Sequence, residues 1–330
     1  MMESTVATAI VALVTAAVLN GGPLLYGTIG EVLTEKAGNL NLGVEGLMFM
    51  GGAFGLGAAF YYGKTAGASG HVAVVLAILV AFLAGALGSL IYSVITITLR
   101  ANQNVTGLAL SIFGTGVGQY MGEYMRVQQG SYVAVSNTFK AIFQGSPFPA
   151  ALQQIPVVGQ LIFKYNIFVY LGVGIAVVMW FVLQRTHLGL NLRAVGESPA
   201  TADAAGINVI RHKYLATVIG GGISAIGGMV YIMTIAGGVW NHDGLSGEGW
   251  LAVALVIFCL WSPLRALWGS VLFGGLLVLY LRFNLPIPSQ ISQILPYIVA
   301  VIVLVAISMR RKRENQAPQA LGNAYFREER

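Results

Sequence analysis

The sequence predicts an all-α, polytopic membrane protein with about nine transmembrane helices, and three observations carry that reading. Of the 330 residues, 56% are hydrophobic and only 9% are charged. An ordinary soluble domain carries about a quarter charged residues, and 18 basic with 12 acidic side chains cannot cover a folded surface of this size. The apolar residues are gathered into long stretches free of Asp, Glu, Lys and Arg, and a helix needs about 20 apolar residues to cross ~30 Å of hydrocarbon. Within these stretches polar and apolar residues do not alternate with period two, as the strands of a membrane barrel would. A soluble enzyme, a collagen and a low-complexity disordered chain are excluded, the last two because the 43 glycines follow no fixed period and apolar residues dominate.

Taken in order, the spans are Ser4–Gly30, Gly46–Gly63, Thr65–Leu99, Ala101–Gly122, Tyr165–Gln184, Tyr214–His242, Gly249–Leu264, Ala266–Leu281 and Phe283–Met309. The seventh and eighth are short at 16 residues each, which suits broken or tilted helices enclosed by protein rather than facing lipid. A further uncharged stretch, Ala141–Phe163, holds three prolines and four glutamines. It reads as an extracytoplasmic loop that either re-enters the membrane or lies on its surface.

Charge sets the orientation. Alternating sides along nine spans puts Lys36, Arg100, Arg185, Arg193, Arg211, Lys213, Arg265 and the six basic residues from Arg310 onward on one side, 13 in total, and leaves only Lys64, Arg126, Lys140, Lys164 and Arg282 on the other. Basic residues favour the cytoplasmic side, so the N-terminus is expected outside and the C-terminus inside. Residues 1–309 form the membrane domain and 310–330 a basic and polar cytoplasmic tail, of which Glu314–Arg330 is expected to be mobile. The start Met-Met-Glu-Ser-Thr lacks the basic n-region of a signal peptide. The net charge of +6 is concentrated where a membrane chain keeps it and does not point to nucleic acid. Cys259, the one cysteine, is expected to be packing inside a helix.

The largest inside loop runs from Arg185 to Lys213. Ser198 can cap a short helix, Pro199 suits its first position, and Gly206 suits a left-handed stop. Ala200, Ala202, Ala204 and Ala205 offer small side chains that a partner could approach closely. A plain connector needs only a few residues, and this loop spends nearly thirty.

Three stretches resemble one family. Arg185-Thr-His-Leu-Gly, followed by Arg193-Ala-Val-Gly-Glu-Ser-Pro-Ala-Thr-Ala and Ala205-Gly-Ile, looks like the cytoplasmic coupling loop of ABC importer permeases of the branched-chain amino acid and simple-sugar (ribose-type) group. Gly38-Asn-Leu-Asn-Leu-Gly-Val-Glu-Gly46 is similar to the signature of that group's nucleoside and simple-sugar branch. Arg100-Ala-Asn-Gln-Asn-Val-Thr-Gly107 resembles the smaller permease subunit of bacterial nucleoside importers. The resemblance implies a permease in a bacterial inner membrane, with a second permease (identical or a paralogue), a cytoplasmic ATPase and an extracytoplasmic substrate-binding protein as partners. ATP and magnesium then belong to the ATPase, and neither cofactor nor metal is expected on this chain. Coupling is assigned to Arg193, Gly196, Glu197, Ser198, Pro199, Ala202 and Gly206. The residues agree about ATP: a P-loop needs a glycine five places before Gly-Lys-Thr, and Gly63-Lys64-Thr65 has Ala58 there.

Polar groups at membrane depth are costly and face a cavity or one another. Those expected along a substrate path are Asn39, Asn41, Glu45, Asn102, Gln103, Asn104 and Glu248, beside Glu31 and Glu35 at the first turn-back. Asn241–Asp243 reads as a solvated loop. Neutral, hydroxyl-rich cargo such as a nucleoside wants amides and carboxylates of this kind, and a simple sugar is the alternative. A secondary transporter would use Glu31, Glu35 and Glu45 as a proton relay. The pairing of Leu42-Gly-Val-Glu45-Gly46 with Leu245-Ser-Gly-Glu248-Gly249 suggests an inverted repeat, with Glu45 and Glu248 at ends of broken helices on opposite sides of the membrane.

Overall fold

The computed structural model describes residues 2–245, 247–283, 294–295, 297–303, 305 and 316–327. Helix dominates throughout, and among these residues the only β pairing is an isolated bridge between Ala134 and Val239. Five helices are long and apolar enough to cross a membrane: Ala9–Lys36, Val44–Tyr62, Gly70–Thr98, Ile167–Arg185 and Val209–Ile235. They lie within α1 (Met2–Lys36), α2 (Val44–Tyr62), α3 (Gly70–Ser93, prolonged by a π turn over Val94–Thr98), α7 (Ile167–Arg185) and α10 (Val209–Val230, prolonged by a π turn over Tyr231–Ile235). Shorter apolar helices follow as α11 (Glu248–Phe258) and α12 (Pro263–Phe283). The fourth expected span becomes α4 (Gln103–Gln129), a 27-residue helix whose polar face holds it below the apolarity of those five. The ninth, Phe283–Met309, and the basic cluster Arg310–Arg313 lie mostly or wholly outside the described residues.

Small residues set the spacing of the core. α2 and α10 run parallel with backbones nearly touching: Gly51 lies on the Ala225 carbonyl and Gly228 on the Met48 carbonyl, so a β-carbon at either place would collide with main chain. α1 packs antiparallel to α10, with Gly30 against Gly220 and Ser224, and antiparallel to α12, with Gly21 against Ser270. Small residues give membrane helices this closeness, which replaces the hydrophobic drive that lipid removes. α2 is buried along most of its length, so it is a central helix shielded by its neighbours.

The stretch 141–163 contains no span. α5 (Asn137–Gln144) turns Phe139 and Phe143 into the core. The rest is α6 (Ala150–Gln153) and a π turn over Gly159–Phe163.

Three boundaries differ from the sequence reading. α1 does not stop at Gly30; it carries Glu31 and Glu35, both buried, to Lys36. The carboxylates are held inside by partners on other elements, which local apolarity cannot reveal. The seventh span breaks at Cys259–Ser262, where Leu260 and Trp261 take positive φ, and Arg265 falls inside α12. Cys259 therefore sits in a turn rather than in a helix, still buried. Finally, residues 316–327 are not a free tail: Pro318 is buried, and the segment lies along α8 (His187–Glu197) and α9 (Pro199–Ala204).

Candidate functional site

After α1 the chain turns at Gly38, whose φ of +82° suits glycine, and runs back into the bundle without helical structure before α2 begins. Val44 and Met48 of α2 lie beside Gly27 of α1. Gly27 is nine residues before the end of α1, so α2 starts about 13 Å inside the bundle at 1.5 Å per residue. Non-helical backbone at such depth has to be satisfied by protein, and here it is. The Leu40 N–H donates to Gln103 Oε1 at 2.7 Å, Tyr92 Oη donates to the Leu40 carbonyl at 2.6 Å, and the Asn41 N–H donates to Glu31 Oε1 at 2.9 Å. Asn39 Nδ2 donates to Thr217 Oγ1 at 2.7 Å, and Asn39 Oδ1 accepts from Lys213 Nζ at 3.1 Å. Asn41 Oδ1 turns back to the Gly43 N–H at 2.9 Å. Asn39, Asn41 and Gln103 are all fully or almost fully buried. The structure thus brings these three together as a clamp around a re-entrant strand of main chain. Asn102 and Asn104 stand apart and exposed: Asn102 caps α4 by accepting the Val105 N–H at 3.0 Å.

The second place is where two helices begin. α11 runs alongside α1 in the same direction, with Thr28 Oγ1 donating to the Ala252 carbonyl at 3.2 Å and, further on, Trp261 Nε1 donating to Glu35 Oε2. α2 is parallel to α10, and α10 is antiparallel to α1. So α2 and α11 point in opposite directions and meet at their N-termini. Glu45, in the first turn of α2, places its carboxylate on the start of α11: Oε1 accepts the Gly247 N–H and Oε2 the Gly249 N–H, each at 2.7 Å. Helix starts leave N–H groups unpaired and carry partial positive charge, so two facing starts would repel without an anion between them. Glu45 supplies it. Glu248 opens α11 but makes no reciprocal bond; its Oε2 is buried without a hydrogen-bond partner among the described residues. Tyr297 Oη approaches the Gly247 carbonyl at 3.5 Å.

This overturns one expectation. Glu45 and Glu248 do belong to broken helices running in opposite senses, but they meet at the junction rather than lying on opposite sides of the membrane. The physical reason is the re-entrant return of residues 37–43, which carries the start of α2 to the depth at which α11 begins. The junction gathers two carboxylates at two helix starts, with the Gly247 and Gly249 N–H groups taken by Glu45. The described residues include no group of three or more His, Cys, Asp or Glu side chains placed to hold a metal.

The loop from Arg185 folds into α8 and α9. Ser198 Oγ accepts the Thr201 N–H at 3.4 Å, Pro199 takes the first turn, and Gly206 has a φ of +82°. Gly196 packs on the Lys36 carbonyl, and its own carbonyl accepts the Ala320 N–H at 3.0 Å. Arg193 keeps a buried Nε without a hydrogen-bond partner among the described residues, and Glu197 is exposed with Oε2 near the Gln319 N–H at 3.4 Å. Ala202 does not face outward. It is 3% exposed and packs with Val195, Val209 and Tyr325. The small residues that do face out are Ala200, Ala204, Ala205 and Gly206. Sequence reasoning missed the tail residues that finish this surface: Tyr325 Oη donates to Asp203 Oδ2 at 2.9 Å, and Arg327 pairs with the same oxygen at 3.2 Å. It also missed Lys213, Thr217, Tyr92 and Trp261. Lys213 and Thr217 stand one helical turn apart on α10, the one signal that could have placed them on a common face.

The site thus joins helix starts that meet inside a bundle of membrane-length apolar helices to a folded loop at one end. The chain belongs to the family described as branched-chain amino acid transport system / permease component, whose family model matches residues 8–306, and it is a membrane-spanning permease of an ABC transporter. Among its relatives, the guanosine ABC transporter permease protein NupQ of Bacillus subtilis is 32% identical over 96% of this chain and 96% of its own length. The nucleoside ABC transporter permease protein NupC of Lactococcus lactis is 33% identical over 86% and 87%. TsgC13 of Haloferax volcanii, assigned only provisionally as a glucose ABC transporter permease, is 32% identical over 92% and 94%.

Proposed function

We propose that this chain is the permease of a nucleoside importer. The observation that carries the reading is the full-length likeness to NupQ, a guanosine permease, joined to a junction whose carboxylate oxygens can accept from a hydrogen-bonding cargo. In this reading the chain crosses the membrane nine times, with its N-terminus outside and residues 310–330 in the cytoplasm. It sits in the cell membrane beside a second permease. A binding protein delivers cargo from outside, and a cytoplasmic ATPase holds ATP and magnesium, so the permease itself needs no cofactor.

The path runs past Glu45 and Glu248, where Glu248 Oε2, buried and without a hydrogen-bond partner among the described residues, is the acceptor that cargo would reach once the helix starts part. Asn39, Asn41 and Gln103 keep the re-entrant segment in shape, and Asn102 and Asn104 mark the mouth of α4. Arg193, Gly196, Glu197, Ser198, Pro199 and Gly206 build the coupling surface. Ala202 supports that surface from beneath, while Ala200, Ala204 and Ala205 touch the ATPase. ATP binding moves this loop, and the helix pairs around the junction pass the motion to the path.

A simple sugar is the second reading, favoured by the likeness to TsgC13. The test is uptake of labelled guanosine and labelled glucose into vesicles holding the whole transporter with its binding protein. Guanosine uptake that needs ATP and is blocked by unlabelled nucleosides is expected. ATP-dependent glucose uptake without guanosine uptake replaces the nucleoside reading, and uptake driven by a proton gradient without the ATPase overturns the ABC reading.

A further inference from the structure

A cavity of about 380 Å³ lies between the clamp, the coupling loop and the C-terminal segment, away from the helix junction. Asn39 and Lys213 come from the clamp, Arg100 from the end of the third span, Asp203 and Asn208 from the loop, and Tyr325 from the tail. Arg327 joins the lining and pairs with Asp203, so among the described residues the wall carries three cations and one carboxylate. Asp203 already bonds Tyr325 and Arg327, and Arg100 lies over the Phe326 ring at 4.8 Å.

Lys213 is different. It is 3% exposed, and among the described residues its ammonium has one hydrogen bond, to the neutral Asn39 Oδ1, and no carboxylate within ion-pair distance. An ammonium has three donors, and buried charges are ordinarily paired. A buried, under-bonded cation on the wall of a cavity is a site for an anion.

We infer that this cavity binds a nucleoside monophosphate, the phosphate monoester of the imported cargo, with its phosphate on Lys213 and residues 316–327 folded over it. The inference rests on the nucleoside reading above. Chemistry selects the monoester: a neutral nucleoside lacks the charge this cavity matches, and a phosphoryl transfer from a nucleoside triphosphate to the cargo's hydroxyl, by a separate kinase, creates that charge on the same side as the coupling loop. Bound there, the monoester touches Asp203 and Asn208 of the loop and Tyr325 of the tail together. It ties the coupling surface to the tail and reports accumulated product to the transporter.

The test is calorimetric titration of the purified full-length chain in detergent with guanosine 5′-monophosphate, guanosine and inorganic phosphate. The monophosphate is expected to bind saturably, guanosine not to bind at this site, and phosphate to bind more weakly while competing. Lys213→Met should weaken monophosphate binding by about tenfold or more, the scale of a charge-assisted hydrogen bond. Asn208→Asp guards against misfolding: it keeps the cap that accepts the Arg211 N–H at 2.9 Å, since aspartate caps as well as asparagine. It adds a negative charge at the rim and should weaken binding several-fold. Limited proteolysis within 316–327 should slow when the monophosphate is present. No binding to the unaltered chain, or equal binding to both variants, overturns the site. Phosphate binding as tightly as the monophosphate overturns the choice of ligand. The titration needs neither ATPase nor binding protein, so its failure is separable: guanosine uptake without monophosphate binding defeats only this inference, and monophosphate binding without guanosine uptake defeats the transport reading.

Discussion

Replacing Glu45 by alanine removes the carboxylate that bridges two helix starts. In the structure its two carboxylate oxygens each accept a main-chain N–H at 2.7 Å, from Gly247 and from Gly249. Alanine leaves at least two enclosed N–H groups without an acceptor, at roughly 1–3 kcal/mol each, so the junction should lose about 2–6 kcal/mol. Glutamine keeps one acceptor oxygen but turns an amide donor toward the second N–H, so it should lose about half as much. The assay is amide hydrogen exchange on the purified protein, read at peptides covering Gly247–Leu251. A loss of about 2 kcal/mol speeds exchange there roughly 30-fold, because each 1.4 kcal/mol is a factor of ten. Peptides from α7 should be unchanged. Unchanged exchange in Glu45→Ala would refute the capping role. So would a glutamine variant more disturbed than the alanine one, since the ranking follows from acceptor count alone.

Other outcomes follow from the same packing. Gly228→Leu forces a side chain into the Met48 carbonyl and should lower stability by at least the 1–3 kcal/mol typical of overpacking, visible as a lower midpoint in thermal unfolding. Ala202→Arg should disrupt the loop itself and free residues 316–327 to proteolysis, whereas the exposed Ala204→Arg should leave that digest unchanged and abolish cargo-stimulated ATP turnover of the reconstituted transporter. Asn39→Ala removes the partner of both Lys213 and Thr217 and should cost about 1–3 kcal/mol; a midpoint equal to the parent's would show that the clamp is not holding the return segment.

What the sequence determined by itself is what depends on composition and on neighbours along the chain. Long uncharged apolar stretches marked α1, α2, α3, α7 and α10 as helices long and apolar enough to cross a membrane, since no water at that depth can satisfy an open backbone. Ser198, Pro199 and Gly206 marked the ends of α9 because caps and left-handed stops act over three or four residues. Only the tertiary structure decided the rest. Glu45 and Glu248 are 203 positions apart, and nothing local says that the starts of α2 and α11 abut; that follows from the return of residues 37–43 alongside α1. Glu31 and Glu35 looked like a turn because their acceptor oxygens are satisfied by Asn41 and Trp261 from other segments. Ala202 looked like a contact surface and is a floor, because the segment that covers it lies more than a hundred residues further on. Spacing along the chain shows which face a helix presents, but which element arrives to cover that face is settled by the fold as a whole.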